Sequence, residues 1–223
     1  MFLGDYMLNI LLYISIGLVV LGYILYFILI LFGRIKEVSN IEGFDVAKDM
    51  ISEYNNINII ESKSYFTLYN IKRKVIKLST KCYYGKDLSS ISLSLIEAAI
   101  SVVDNNKNKY INILRSIFNN LKLLYLFPII SLFISSSSFY VSDAKVSIIF
   151  LLIFTFIIYV ILDIKGQAVS WINDNIDKIK EINKDNKKKI VKFINKILWC
   201  DKLIYYVHFV IIIRLILIVF EIK

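Results

Sequence analysis

The sequence predicts a mainly α integral membrane protein, with about four transmembrane helices and a small cytoplasmic α+β segment. Three observations carry that expectation: long uncharged runs, an uneven distribution of basic residues, and a β-rich stretch confined between the first run and the rest. Of the 223 residues, 57% are hydrophobic, and mean hydropathy is +0.65. A soluble domain holds roughly 45–50% apolar residues, and here the excess is gathered into runs. One proline and seven glycines exclude collagen-like and low-complexity chains. Cys82 and Cys200 are too far apart in sequence for a C-x-x-C metal knuckle, and two cysteines make no disulfide framework. His208 is the only histidine, which excludes a zinc site of two or three imidazoles from one chain.

The first run, residues 8–32, has 25 residues without a charge. At about 1.5 Å per residue it can cross a hydrocarbon core of roughly 30 Å with some tilt. It is too long for a signal-peptide core and no basic region precedes it, so it reads as an uncleaved first span. Residues 123–162 read as a transmembrane hairpin. Its first arm, 123–141, is broken only by Pro128 and the patch Ser135–Ser138; its second arm, 146–162, is uncharged. A short loop around Asp143 joins the two. The last span, 203–220, contains His208 and Arg214.

Basic residues set the orientation. Residues 33–122 carry 14 Lys and Arg and residues 163–202 carry 10, of 27 in all. Four spans place both segments on one side, and the positive-inside rule makes it the cytoplasm. The net charge of +9 is therefore topogenic. No basic stripe interleaved with aromatics is present, which argues against nucleic acid as a partner. The lipid bilayer is the partner the sequence implies, and a protein partner has no readable signature.

The segment 33–120 is long enough for a small domain. Phe44–Tyr54 reads as a short helix with Val46, Met50 and Ile51 as its apolar stripe, ended by Asn55-Asn56. Ile57–Ile60, Tyr65–Tyr69 and Val75–Leu78 read as strands. A turn at Tyr84-Gly85 follows, and Asp87 can cap a helix over Leu88–Val103 by accepting free first-turn amides. That helix is apolar over most of its circumference, with Glu97 as its charge before Asp104. A carboxylate there needs a partner, a solvated notch or a raised pKa. Its serines, Ser89, Ser90, Ser92 and Ser94, lack a nucleophile-elbow pattern and read as packing residues. The segment 163–202 reads as amphipathic helix. Ile172, Ile176, Ile179, Ile190, Phe193 and Ile197 form its apolar stripe, Asn183 and Asn186 interrupt it, and lysines fill the other face. Trp171 and Trp199 suit an interfacial position. His208 suits hydrogen bonding near one end of the last span. Arg214 lies deeper and should face the bundle interior, snorkel, or pair with an acid such as Asp163 or Glu97.

The order of these parts resembles the bacterial membrane-bound neutral zinc metallopeptidases of the YugP type. Members carry a run like H-Y-D-P-R, a strand ending R-L-S, a V-Y-x-G turn, a helix with H-E-x-x-H, and near the third span a segment like L-P-V-E-F-N-A-S-R-R-A. The matching stretches here are Leu68-Tyr69-Asn70-Ile71-Lys72, Ile76-Lys77-Leu78-Ser79, Cys82-Tyr83-Tyr84-Gly85, Ile96-Glu97-Ala98-Ala99-Ile100 and Leu162-Asp163-Ile164-Lys165-Gly166-Gln167-Ala168. The likeness covers nearly the whole chain and implies a metallopeptidase-like α+β segment in the bacterial inner membrane.

The departures fall on the chemistry. In H-E-x-x-H the two histidines share a helical face and grip zinc, while the glutamate acts as general base on the metal-bound water. Here the ligand positions are Ile96 and Ile100, and the downstream acidic position is Lys165. Only Glu97, the general-base position, is kept, as a vestige. The resemblance thus implies the framework without its zinc cofactor: a non-catalytic member serving binding, assembly or regulation. Two alternatives stand beside it. One is an active zinc peptidase with relocated ligands drawn from Cys82, Glu97, Asp104 and Asp163. The other is a transporter or channel component with Arg214 and Glu97 on a polar path.

Overall fold

The computed structural model describes residues 2–54, 56–64, 67–70, 72–105, 129–131, 133–134 and 141–220. The chain is mainly helical with one small sheet. The elements are α1 (Phe2–Arg34), α2 (Gly43–Met50), β1 (Asn58–Ser62), β2 (Leu68–Asn70), β3 (Val75–Ser79), α3 (Thr80–Tyr84), α4 (Leu88–Asn105), α5 (Val141–Asn175), a 3₁₀ turn (Ile176–Lys178) and α6 (Lys184–Val219). They divide into two compact units. One holds the described residues of 2–26, 129–162 and 199–220; the other holds those of 27–105 and 163–198.

In the first unit, Val19 of α1, Leu151 of α5, and Val207, Ile211 and Leu215 of α6 form one buried cluster. The α6 members recur every four residues, which aligns them on one face. The opposite faces are apolar too. Ile14, Leu21 and Ile24 on α1, Ile149, Ile153 and Phe156 on α5, and Phe209 and Ile213 on α6 are all exposed. Water penalises such a surface and hydrocarbon does not. Two hydroxyls of this unit bond to backbone within their own helices: Ser15 Oγ donates to the Leu11 carbonyl at 2.8 Å and Thr155 Oγ1 to that of Leu151 at 2.7 Å. Arg214 is buried, and its Nε donates to the Leu8 carbonyl at 3.1 Å. Among the described residues, one helix, Leu8–Arg34, is long and apolar enough to cross a membrane.

The second unit is built around α4. The sheet runs β1-β3-β2, with β1 parallel and β2 antiparallel to the central β3. The β2–β3 turn is closed by Asn70 Oδ1, which accepts from Arg73 N at 3.0 Å, and by Lys74 at φ +50°. Such left-handed backbone is costly for a residue with a Cβ, and here it sets the register that pairs Asn70 with Val75. The α4 helix begins where the sequence places it. Asp87 Oδ1 accepts from Ser90 N at 2.9 Å and Oδ2 from Ser90 Oγ at 2.6 Å, which satisfies an otherwise orphaned amide. Ile91, Leu95, Ala98, Ala99 and Val102 are buried, as are Ser89, Ser90, Ser92, Ser94 and Ser101. The serines pack inside protein: Ser94 Oγ reaches the Cys82 carbonyl at 3.3 Å and Ser90 Oγ that of Lys81 at 3.1 Å. Small side chains let neighbouring backbone approach, and Gly43 completes the contact, since a Cβ there would collide with the Cys82 carbonyl.

Several boundaries differ from those the sequence predicts. The helix that carries the second arm of the hairpin, α5, continues past residue 162 to Asn175 without a break. The step from apolar to charged residues at Leu162-Asp163 leaves the helix backbone intact, and no proline intervenes. Asp143 stands in the first turns of α5 and not in a loop. The other hairpin arm lies largely outside the described residues. Likewise α6 passes from the basic segment into the last apolar run without interruption. Asn183 does break the stripe, as an N-cap whose Oδ1 accepts from Asn186 N at 2.8 Å. The stripe residues Ile172, Ile176, Ile179, Ile190, Phe193 and Ile197 are all buried. The helix predicted over Phe44–Tyr54 stops at Met50, where turn bonds from Ser52 N to the Asp49 carbonyl and Tyr54 N to that of Ile51 take over. The strand predicted over Tyr65–Tyr69 is Leu68–Asn70, with residues 65 and 66 outside the described set. A five-residue helix, α3, precedes the expected turn, capped by Ser79 Oγ accepting from Cys82 N at 3.3 Å.

Candidate functional site

Glu97 sits in the middle of α4, half-buried between buried neighbours Ile96 and Ala98. Its Oε2 accepts a hydrogen bond from the backbone N–H of Tyr69 at 2.7 Å. Tyr69 is on β2, an edge strand, opposite Ile76 of β3. In an antiparallel ladder every second residue turns its N–H away from its neighbour strand. Tyr69 is such a residue, and the Glu97 carboxylate stands where a further strand would offer its carbonyl.

Burial pushes the Glu97 carboxyl up to about 7, against the opposing pull of the Tyr69 N–H and the positive charge of Lys165. Lys165 comes from α5, some seventy residues away in sequence, so the fold draws together two positions that the resemblance assigns to one site. Ile96 is buried and Ile100 half-buried on the same helix, four residues apart. The described geometry therefore gathers Ile96, Glu97, Ile100 and Lys165 in one unit.

These residues do not fit a zinc ion. Isoleucine offers carbon alone, and the Lys165 ammonium would repel a dication. Among the described residues, no three His, Cys, Asp or Glu side chains form a set able to hold a metal. The four donors of the relocated-ligand alternative are placed otherwise. Cys82 is buried under α4, and burial raises its thiol above the usual range. Asp163 accepts from Gln167 Nε2 at 2.6 Å on an exposed face of α5. Asp104 is buried at the penultimate position of α4. What the Glu97 site can do is change protonation near neutral pH while holding the edge of a strand. Arg214 belongs to the first unit, and His208 is on α6 with its side chain outside the described residues.

Sequence reasoning did not find Tyr69 as the partner of Glu97, because the donor is backbone and carries no residue signature. The lone carboxylate in an apolar helix was the only sign that a partner existed. Comparison with family models, with curated proteins and with solved structures finds no match to this chain.

Proposed function

We propose that the chain is a multi-pass protein of the bacterial inner membrane, built on a neutral-zinc-metallopeptidase-like framework, that acts by binding, assembly or regulation and not by zinc-dependent hydrolysis. Segments 33–120 and 163–202 face the cytoplasm in this reading, and the lipid bilayer is its partner. The outward apolar faces of α5 and α6 support spans beyond α1. One observation carries the loss of hydrolysis. The carboxylate at the general-base position is engaged by the edge of β2 and the charge of Lys165, between two isoleucines where metal donors would have to stand. A base without a metal-activated water has no nucleophile to generate at neutral pH.

Two experiments test the two halves of this reading. Cysteines introduced at Lys63 and Lys184 of the full chain should both react with a membrane-impermeant maleimide only in inverted vesicles. Labelling of either from the periplasmic side contradicts the topology. Peptidase activity of the purified chain that requires zinc and vanishes in Glu97→Gln contradicts the non-catalytic role.

A further inference from the structure

We propose that the cavity beside the end of α1, walled by Arg34, Thr80, Lys81, Tyr84, Asp87 and Ser90, seats the phosphate headgroup of an anionic phospholipid. The inference rests on α1 crossing the bilayer. The cavity is an open surface depression of about 340 Å³, and all its walls come from one unit. Its polar groups are unequally spent. Both Asp87 oxygens accept from Ser90, Ser90 Oγ also reaches the Lys81 carbonyl, and the Tyr84 hydroxyl is turned to Glu61 Oε2 at 3.1 Å. Among the described residues neither Arg34 nor Lys81 forms an ion pair, and both are exposed. Arg34 and Lys81 stand against one carboxylate, Asp87, whose two oxygens are engaged by Ser90, so the wall is net positive, and its two cations come from different elements, α1 and α3.

Position selects the source of the anion. Arg34 is the last residue of the apolar helix, where a spanning segment meets the headgroup layer. Leu31 and Phe27, three and seven residues earlier, share its helical face and are 43% and 63% exposed. A phosphate held by the guanidinium fork and the Lys81 ammonium leaves acyl chains to run down that apolar face. A free phosphate would make no use of it. Gly85 keeps the cavity wall close: a Cβ there would collide with the Lys81 carbonyl and Ser90 Oγ.

The test uses the full chain in mild detergent, titrated with phosphatidylglycerol, phosphatidylcholine or inorganic phosphate and read by native mass spectrometry. One phosphatidylglycerol should bind more tightly than phosphatidylcholine, and Arg34→Gln and Lys81→Gln should each weaken it about fivefold. Arg34→Lys keeps the charge without the fork and should weaken binding less than Arg34→Gln, and Lys63→Gln, outside the cavity, should change nothing. Arg34 also helps set topology, so Lys81→Gln carries the test if Arg34→Gln fails to insert. Equal binding of phosphatidylcholine, inorganic phosphate binding as tightly as the lipid, or an affinity indifferent to Lys81 overturns the assignment. Release of the chain from membranes by alkaline carbonate is a different failure, that of the membrane reading itself.

Discussion

Replacing Glu97 by glutamine tests the site through its proton. Glutamine keeps an oxygen to accept from the Tyr69 N–H and cannot ionise. In the folded protein the Glu97 carboxyl is raised from 4.5 to about 7, so between those values the folded state binds the proton more tightly than the unfolded state. Stability contributed by protonated Glu97 is then fully present below about pH 4.5, falls as pH rises, and is gone above about pH 7. At about 1.4 kcal/mol for each tenfold in proton affinity, the ionised carboxylate costs at most about 3 kcal/mol, and solvent reaching the half-buried group lowers that figure. For a chain of this size the cost corresponds to a midpoint difference of roughly 6–12 °C. The assay is thermal unfolding of wild type and Glu97→Gln in the same detergent from pH 5 to pH 8. The two curves should nearly coincide at pH 5, and the variant should be the more stable at pH 8. Parallel profiles over the whole range would refute the argument, because other titrating groups move both proteins alike.

Four further outcomes follow from the same geometry. Lys165→Met removes the charge that favours ionised Glu97, so the Glu97 titration, followed by carboxyl infrared absorption, should move to higher pH. Gly43→Ala drives a Cβ into the Cys82 carbonyl and should cost about 2 kcal/mol or more in chemical unfolding. Gly166→Ala meets nothing within 4 Å on α5 and should instead stabilise by up to about 1 kcal/mol, a contrast that the same assay reads. Asp87→Ala strips the cap from α4 and should cost about 1–2 kcal/mol, with hydrogen exchange rising first at the amides of Ser89 and Ser90.

Legibility differed by the range of the interaction. Local chemistry was readable: Asp87 announced the start of α4, Asn183 the break before α6, and the three-to-four spacing from Ile172 to Ile197 the buried stripe. The strands were readable as segments, but their order was not, since nothing in Val75–Ser79 says that it pairs with β1 on one side and β2 on the other. The loop expected around Asp143 is helix, because a helix backbone ends only where its hydrogen bonds are capped or blocked, whatever charge it carries. At the site, Glu97 stood out as a charge in an apolar helix. Its donor, the Tyr69 amide, is a group that every non-proline residue carries, and only the edge position of β2 makes it free to bond. The pairing of Arg34 with Lys81 around one cavity likewise depends on where α3 lands, which no local pattern states.

Metal content is the most direct measure of the central claim. The full chain, purified without chelator and equilibrated with micromolar zinc, is washed and analysed by elemental mass spectrometry, with X-ray absorption on any metal retained. The account predicts far less than one zinc per chain and the same value for Glu97→Gln. One tightly held zinc per chain, coordinated beside Glu97 and lost in that variant, would contradict it.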